Sequence, residues 1–469
     1  MPMSANRYDA IVIGAGMSGL AAGIRLAQFG RRVVVLERHS LWGGLNSFYK
    51  RGGRRYDTGL HALTNFVPRG TKNTPLPRLL RQLRIGYDDL KLGEQTYSRV
   101  CLDDVVLRFA NQFALLAEDV SSVFPAEIDG FARLVHEVET MDAFDQTAVV
   151  RSARTELRRF VRDPLLVEAL MVPICWYGSA REDDIDWDQF VILFRSLFLE
   201  GFARPEGGIK PFLDLLLARY RDCGGELRMK CGVEKIELDA HGAARGVRLQ
   251  DGSELESDCI LSSAGFPETM GLVGRNIDTR DIGRLSFTEI VHITDRPSRT
   301  FGHDATITFF ATTKDFAWRR PESLIDTRTG VICCSDNYAS LTPSKEGVMR
   351  VTSLANHDRW CALDESSYET AKLAAEQAIF AAAIRFVFDP RPHSVASDMF
   401  TPRTIRFYTG HLGGTVYGTP TKRRDGDCGV KNLHLIGTDQ GLLGIVGALL
   451  SGVTMANRHV LMETRAGQS

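Results

Sequence analysis

The sequence predicts an α/β fold in which a doubly wound parallel sheet is assembled from separated parts of the chain, with a second α+β domain and a helical insertion. Residues 8–13 form a short apolar run that ends in glycines, which is typical of a buried parallel strand. Residues 18–29 have the apolar spacing of a helix that stops at Gly30, and residues 32–37 are again an apolar run. Strand, helix and strand in this order predict a βαβ unit, which requires parallel strands.

The other strands of this sheet are predicted far along the chain. Residues 225–262 contain alternating runs around an Asp-Gly turn, which indicates a hairpin, and residues 432–437 are a short apolar run that enters glycines. Residues 65–202 show mostly helical periodicity with few strand patterns, and residues 286–424 mix strands with one long helix. We therefore expect a nucleotide-binding domain built from residues 1–68, 205–285 and 425–469, and a substrate-binding domain built from residues 69–204 and 286–424.

Composition limits the classes of function. Of the 469 residues, 44% are hydrophobic and 25% are charged, which excludes a disordered or fibrous chain. A formal net charge of -1 provides no basic field, so no nucleic-acid partner is expected. The nine cysteines are scattered without a CxxC pair, which indicates buried thiols in a reducing compartment and no metal site. The first residues lack the pattern of a secretory signal, so a cytoplasmic location is expected.

A glycine-rich turn joins the first predicted strand to the first predicted helix. Gly14, Gly16 and Gly19 have GxGxxG spacing, in which the first glycine allows the tight turn, the second admits a pyrophosphate and the third lets the helix pack on the strand. The free N–H groups at the helix N-terminus then point at the phosphates. Glu37 ends the second strand, where its carboxylate can accept hydrogen bonds from a ribose diol. These features predict a Rossmann-type dinucleotide site and do not by themselves separate FAD from NAD.

Three further motifs separate the two cofactors. Gly43-Gly44 lies in residues 41–48, just after the acidic residue, and residues 55–61 follow with Asp57, Gly59 and His61. A middle block runs from Gly207-Gly208 to Val233, and the end of the chain has Gly437 and Asp439 before a glycine-containing helix. In this order the motifs resemble the phytoene desaturase-like FAD-dependent oxidoreductases, the group that includes carotenoid desaturases, carotenoid isomerases and retinol saturases. The resemblance covers both ends and the middle block.

The resemblance implies a noncovalently bound FAD and a role for each matching residue. Gly43 and Gly44 would let their loop pass close to the pyrophosphate, and Val233 would bond the adenine through its backbone. Asp439 would hold the ribityl or pyrophosphate region, and the helix opening at Gly444 would direct its dipole at the flavin. The cofactor-binding residues implied in this way are Gly14, Ala15, Gly16, Ser18, Gly19, Glu37, Arg38, Gly43, Gly44, Leu45, Gly59, His61, Val233, Gly437, Asp439, Ile445 and Val446. His61 is also the candidate catalytic residue, with a buried core histidine as the alternative.

The activity implied by the resemblance is desaturation, saturation or isomerisation of carbon–carbon bonds in a hydrophobic isoprenoid or polyene substrate. The apolar segments 171–178 and 190–199 suit the wall of its tunnel, with helix core as the alternative. Leu45 stands where many relatives, including amine oxidases, have arginine, which weakens the alternative of a flavin amine oxidase or protoporphyrinogen-oxidase-like enzyme. A non-catalytic FAD-binding protein is the remote alternative.

The partners of such an enzyme follow from the same features. No second GxGxxG lies between a predicted strand and helix, so no resident NAD site is expected. The sequence leaves three alternatives for the electron acceptor: a quinone, oxygen or a protein carrier. Residues 441–456 are apolar but short for a membrane span. Peripheral contact with a membrane surface is expected if the substrate resides in a bilayer.

Overall fold

The computed structural model describes residues 6–59, 61–144, 149–314, 316–340 and 342–462. The strands of these residues are β1 (Arg7–Tyr8), β2 (Ala10–Ile13), β3 (Val33–Glu37), β4 (Phe48–Arg51), β5 (Arg54–Asp57), β6 (Leu92–Glu94), β7 (Ser98–Leu102), β8 (Val105–Phe109), β9 (Ala203–Pro205), β10 (Glu226–Met229), β11 (Val233–Leu238), β12 (Ala244–Leu249), β13 (Glu254–Ser257), β14 (Ile260–Ser262), β15 (Ser286–Thr294), β16 (Ile307–Ala311), β17 (Thr329–Cys334), β18 (Gly347–Ala355), β19 (Ser394–Phe400) and β20 (Leu433–Leu435).

The α-helices of these residues are α1 (Met17–Ala27), α2 (Pro75–Leu83), α3 (Ala114–Val123), α4 (Ile128–Thr140), α5 (Ala153–Leu157), α6 (Pro164–Gly178), α7 (Trp187–Phe194), α8 (Ile209–Asp222), α9 (Phe266–Val273), α10 (His357–Cys361), α11 (Glu365–Ala383), α12 (Pro402–Thr409) and α13 (Gly444–Ala456). Two of them continue as π-helices, α7 over Arg195–Glu200 and α13 over Asn457–Met462.

A five-stranded parallel sheet of order β10-β3-β2-β14-β20 confirms the predicted assembly from separated parts of the chain. Its three central strands, β2, β3 and β14, are buried on both faces, as expected for apolar runs in a parallel sheet, and the edge strand β10 is half-buried. Val12 and Val35 face a core shared with α1, α8 and α13, whereas Ile11 and Val34 face a second core. A doubly wound fold binds its ligand at the carboxyl ends of the parallel strands, so we expect the cofactor at that edge of this sheet.

A four-stranded sheet of order β1-β13-β12-β11 covers the second face. β12 and β13 pair antiparallel across the predicted Asp251-Gly252 turn, which confirms the hairpin. This sheet brings the start of β11 beside β3, because the N–H of Cys231 donates to the Glu37 carbonyl at 2.8 Å. Val233 is thereby placed close to the acidic end of β3.

A seven-stranded sheet of order β19-β15-β18-β17-β16-β7-β8 forms the centre of the second half of the structure. Neighbouring strands are antiparallel except β16 and β7. One face packs against α6, α7 and the helices around them, and the other packs against α11. Residues 65–202 are mostly helical, as expected; of their few strands, β7 pairs in parallel with β16 and β8 pairs with β7, so both join this sheet. The exact domain boundaries stay a prediction.

One helix in the described part of the chain, Gly444–Met462, is long and apolar enough to cross a membrane. It is longer than the apolar stretch seen in the sequence because the π-helical turn extends it. Half of its apolar window is buried, and it packs along α1 in the nucleotide-binding half. This position is typical of a core helix.

Candidate active site

The turn between β2 and α1 shows why glycines are required there. Gly14 has a positive φ of 96°, which side chains other than glycine rarely adopt. A Cβ at Gly19 would collide with the carbonyl oxygen of Gly14. The helix can therefore pack this closely against the turn only because Gly19 has no side chain. The turn therefore brings backbone N–H groups to the edge of a cavity of about 1080 Å³.

A second glycine loop crosses the first. The N–H of Gly43 donates to the Ala15 carbonyl at 2.9 Å, and Gly16 and Gly43 form an isolated parallel bridge. Gly43 and Gly44 both have positive φ. The crossed loops leave the backbone of Gly16 and Gly44 on the cavity surface, where no side chain shields it from a ligand.

Glu37 lies at the same edge of the sheet and is held in place by the backbone. Its Oε2 accepts the N–H of Ala15 at 2.9 Å, and its Oε1 accepts the N–H of His39 at 2.8 Å. The carboxylate also lines the cavity. Each oxygen keeps a further lone pair for a ribose hydroxyl, which is the arrangement that the sequence predicted for this acid.

Helix α12 borders the cavity near Glu37, which the sequence did not indicate. The Arg38 guanidinium donates to the Phe407 carbonyl at 3.2 Å, and the Tyr408 ring lies edge-on to His39 with ring centroids 5.1 Å apart. Tyr408 and Val233 both line the cavity. The adenosine end predicted between Glu37 and Val233 is therefore flanked by residues from the other half of the chain, which have no nucleotide-binding motif of their own.

The carboxylate of Asp439 is turned away from the cavity. It is 2% exposed and accepts N–H groups from Phe266 at 2.6 Å and Thr419 at 2.8 Å. The structure does not place this carboxylate on the cavity surface, so the predicted contact between it and the cofactor has no support there. Gly437 and the first turn of α13 do reach the cavity.

The predicted cofactor residues divide into those on the cavity surface and those behind it. On the surface lie Gly14, Gly16, Ser18, Glu37, Arg38, Gly43, Gly44, Leu45, Gly59, His61, Val233, Gly437 and Ile445. Behind it lie Ala15, Gly19, Asp439 and Val446, of which Ala15 bonds Glu37, Gly19 packs against the turn, and Val446 is fully buried.

The register of the seven-stranded sheet places one row of side chains on the floor of the cavity. Phe309 pairs with Val331, Val331 with Thr352, Thr352 with Glu289, and Glu289 with Phe400. Directly paired residues point to the same face of a sheet, and all five residues line the cavity. Sequence reasoning missed this row because its members come from five strands that are distant in sequence.

A buried charged network stands in this row. The Arg350 Nε donates to Glu289 Oε1 at 2.9 Å, and a second guanidinium nitrogen donates to the Asp57 carbonyl at 2.7 Å. Arg350 and Glu289 are each 1% exposed. The other carboxylate oxygen, Oε2, contacts His61 Nε2 at 3.0 Å and accepts the Thr352 hydroxyl at 2.8 Å. Glu289 therefore neutralises one buried cation and orients His61 at the cavity wall.

The network changes the proton affinities of its members. Burial raises the pKa of Glu289, but the Arg350 charge and the hydrogen bond from His61 outweigh it and lower the pKa to about 2. Burial lowers the pKa of His61, but its interactions with Cys333 and Glu289 outweigh this and raise the pKa to about 9. His61 is therefore an imidazolium at neutral pH, and Glu289 is a carboxylate.

One part of the cavity lining is apolar, and we call this part the apolar chamber. Its wall consists of aliphatic and aromatic side chains, namely Leu45, Ala62, Trp176, Tyr177, Phe287, Phe309, Val331, Val416 and Tyr417. The segment 171–178 reaches this wall through Trp176 and Tyr177, as predicted. The segment 190–199 does not, because Phe190, Phe194 and Phe198 are buried in the core, which is the alternative given for this segment.

The described residues fit a flavin dinucleotide. Two crossed glycine loops leave bare backbone on the cavity surface, and an acid anchored by the backbone lies beside them. The same cavity is also lined by Gly59, His61 and the start of α13. A family model for flavin containing amine oxidoreductases matches residues 17–459.

The chain belongs to this family. FAD is accordingly its cofactor, and the protein is an FAD-dependent oxidoreductase of the phytoene desaturase-like group. The Rossmann-type fold and the family resemblance predicted from the sequence are confirmed.

Named relatives in this family are similar over different parts of the chain. A neurosporene-forming phytoene desaturase of Rhodobacter capsulatus is 27% identical over 57% of this chain and 55% of its own length. A chloroplastic prolycopene isomerase 2 of an Oncidium hybrid cultivar is 24% identical over 97% of this chain and 84% of its own. An all-trans-retinol 13,14-reductase of Danio rerio is 22% identical over 97% and 87%.

Solved structures share the fold. An oxidoreductase from Methanosarcina mazei has a TM-score of 0.65 at 17% identity, covering 97% of this chain and 99% of that one. A redesigned putrescine oxidase has a TM-score of 0.63 at 14% identity, covering 99% of both chains. At these identities the likeness shows the architecture alone.

Stability is expected to fall between pH 6.5 and 9 because His61 is protonated more strongly in the folded state. The raised pKa gives a stabilisation that is fully present below the unfolded pKa of about 6.5 and is lost as the pH rises through about 9. The upper limit is about 3 kcal/mol. Urea unfolding at pH 6.5 and at pH 9 gives the change in the free energy of unfolding between the two pH values. The contribution of His61 is the difference between this change in the wild type and in His61→Gln. Replacing the exposed His241 by Gln is the control, and an identical pH slope in His61→Gln would contradict the assignment.

Proposed function

We propose that this protein desaturates, saturates or isomerises carbon–carbon bonds of a hydrophobic isoprenoid or polyene with noncovalently bound FAD. One observation carries the proposal: the apolar chamber is walled by aliphatic and aromatic side chains. Burial of a long apolar ligand at about 25 cal/mol per Å² would supply most of the binding free energy. The names of the relatives, which refer to phytoene, prolycopene and retinol, support the same substrate class.

The residues around the chamber have distinct roles in this proposal. Hydride exchange with a substrate carbon is the chemistry that FAD supplies when bound. The crossed glycine loops and Glu37 would hold its dinucleotide part. Glu289 keeps His61 protonated and fixes its ring, so His61 can hold a proton next to the substrate. The apolar wall excludes water from the reacting carbons.

An amine oxidase is the second candidate, and the aromatic side chains Trp176, Tyr177 and Tyr417 in the chamber favour it. The charges of the network oppose it. Glu289, the carboxylate beside the chamber, is already engaged by Arg350, His61 and Thr352, so it is not free to pair with an alkylammonium ion. The imidazolium of His61 would also repel a cation in the same chamber. The polyene therefore fits the electrostatics better.

Delivery of such a substrate involves the outer part of the cavity. Lys50, Arg51 and Lys372 line it beside Tyr408, and the neighbouring Phe407 is 75% exposed. Basic and apolar side chains together suit a transient contact with an anionic membrane surface. We propose a cytoplasmic protein that docks on the bilayer, with a quinone, oxygen or a protein carrier as its electron acceptor.

Deletion of the gene from its host tests the substrate class. The proposal predicts that an isoprenoid lipid accumulates whose mass differs from that of the normal product by one or more pairs of hydrogens. An isomerase would instead leave the mass unchanged and shift the absorption of the polyene. An unchanged isoprenoid profile together with an accumulated amine would favour the second candidate.

A further inference from the structure

A second cavity lies on the face of the seven-stranded sheet that packs against α11. It measures about 440 Å³ and is lined by residues from β15, α11 and β19, together with Arg391. Glu289 and His292 stand three residues apart on β15, so their side chains point to opposite faces of the sheet. The His292 ring lies edge-on to Phe380 of α11, with ring centroids 5.1 Å apart. The described residues that line this cavity are all different from those of the cofactor cavity.

Three side chains at the second cavity form a relay of hydroxyl, imidazole and carboxylate. His292 Nδ1 lies 2.8 Å from Ser394 Oγ, and His292 Nε2 lies 2.9 Å from Glu376 Oε1. The three residues belong to β15, β19 and α11, so the packing of separate elements brings them together. A nucleophile within hydrogen-bond reach of a base, which a third group orients in turn, is the arrangement that activates a serine hydroxyl.

Glu376 determines which imidazole nitrogen can act as the base. A carboxylate accepts hydrogen bonds, so Nε2 of the neutral ring carries the proton and Nδ1 presents its lone pair to the Ser394 hydroxyl. The hydroxyl also lies 3.1 Å from the Ala396 carbonyl, and its single proton can be donated to either acceptor. His292 is buried whereas Ser394 is half-buried, so the base is held by the protein while the hydroxyl can meet a ligand.

The rest of the cavity wall suits a short acyl group. Leu373, Val395 and Ala396 supply apolar surface. The Arg391 guanidinium donates to Asp389 through Nε at 2.8 Å and through Nη2 at 2.7 Å, and Nη1 keeps its donors for an oxygen that becomes negative during acyl transfer. A cavity of about 440 Å³ is at the small end of ligand sites, which favours a small molecule over a long polyene.

We propose that this cavity is a second active site, in which Ser394 takes the acyl group of a short-chain ester and water then releases it. Ser394 Oγ bonds to the acyl carbon while its proton passes to His292 Nδ1. The bond between the acyl carbon and the alcohol oxygen breaks, and the alcohol leaves with that proton. Water next attacks the acyl-serine with His292 as base, which restores the hydroxyl and releases a carboxylic acid. Glu376 is a positioning residue, and the reaction transfers no electrons, so it is independent of the flavin.

Hydrolysis of p-nitrophenyl acetate by the FAD-loaded full-length protein tests the activity. We expect saturable release of nitrophenolate, and a loss of about 100-fold or more in kcat/KM in Ser394→Ala and in His292→Gln. Ser397→Ala is the matched control, because Ser397 lines the same cavity and pairs with His292 in the sheet, whereas the imidazole nitrogens contact Ser394 and Glu376. Its kcat/KM should stay within about twofold of the wild type. Retained flavin absorbance shows that each variant is folded.

Glu376→Gln separates positioning from a merely structural role. An amide can donate to Nε2 as well as accept from it, so the variant no longer fixes the tautomer in which Nδ1 is the base. We expect kcat to fall about tenfold or more while KM is unchanged. A change in KM alone would contradict the positioning role.

Covalent labelling tests the nucleophile without any substitution. Diisopropyl fluorophosphate should transfer its phosphoryl group to Ser394 Oγ with loss of fluoride, and peptide mass spectrometry locates the adduct. We expect the adduct on Ser394, formed more slowly in His292→Gln. An unmodified Ser394, or equal ester hydrolysis by the wild type and Ser394→Ala, would overturn the inference. Either result leaves the polyene proposal unaffected, since that proposal concerns the other cavity.

Discussion

Glu289→Gln is expected to lower the free energy of unfolding by about 3–5 kcal/mol, because it leaves a buried guanidinium without its carboxylate. Arg350 is 1% exposed, and its remaining acceptor in the network is the Asp57 carbonyl. Denaturant unfolding of the FAD-loaded protein at pH 7 measures the loss.

Glu346→Gln is the matched control for this substitution. It removes a carboxylate that also pairs with an arginine, Arg54, but the two side chains are 39% and 34% exposed. A surface pair of this kind contributes about 0–1 kcal/mol. Equal losses in Glu289→Gln and Glu346→Gln would show that the buried network is not what supports the sheet at this position.

Glu37→Ala is expected to weaken FAD binding roughly 10- to 150-fold, because about 1.5–3 kcal/mol is lost with a hydrogen bond to a charged group. The carboxylate also anchors the N–H groups of Ala15 and His39, so its removal loosens the glycine turn as well. Titration of the apoprotein with FAD, followed by flavin fluorescence, measures the affinity.

Glu234→Ala provides the control for charge. Glu234 lies next to Val233 on the same strand, with a side chain that is 57% exposed. Its loss should leave the FAD affinity within about twofold, as expected for a surface substitution. If both variants bind FAD as the wild type does, a different acid holds the ribose.

The parts of the site that are local in sequence could be predicted from it. The turn at Gly14–Gly19 and Glu37 at the end of β3 lie within one βαβ unit, where glycine spacing and apolar runs determine the geometry. The Asp251-Gly252 hairpin was predictable for the same reason. A motif predicts where along the chain a residue stands but not where its side chain points. Asp439 lies at the expected position after Gly437, but its carboxylate points into the protein and accepts backbone N–H groups.

The floor of the chamber could not be predicted, because strand register determines it. Glu289, Thr352 and Phe309 come into one row only when four strands pair in the order β15-β18-β17-β16. Neither Glu289 nor Arg350 stands in a motif, and the sequence around Glu289 in its long buried strand does not indicate which residue pairs with it. The same non-local pairing placed β7 and β8 in the large sheet although their surroundings in sequence are helical.

We expect a polyene, rather than an amine or a nicotinamide, to react at the flavin, either by electron transfer or by isomerisation of its double bonds. Anaerobic stopped-flow spectroscopy tests it directly, with oxidised and pre-reduced enzyme mixed separately with a polyene in liposomes, a primary amine and NADPH. We expect the polyene to change the flavin spectrum or its own absorption band in at least one redox state, and the other two to react slowly or not at all. Rapid bleaching by the amine with an inert polyene would contradict the account, and rapid saturable bleaching by NADPH would reveal a nicotinamide site that it excludes.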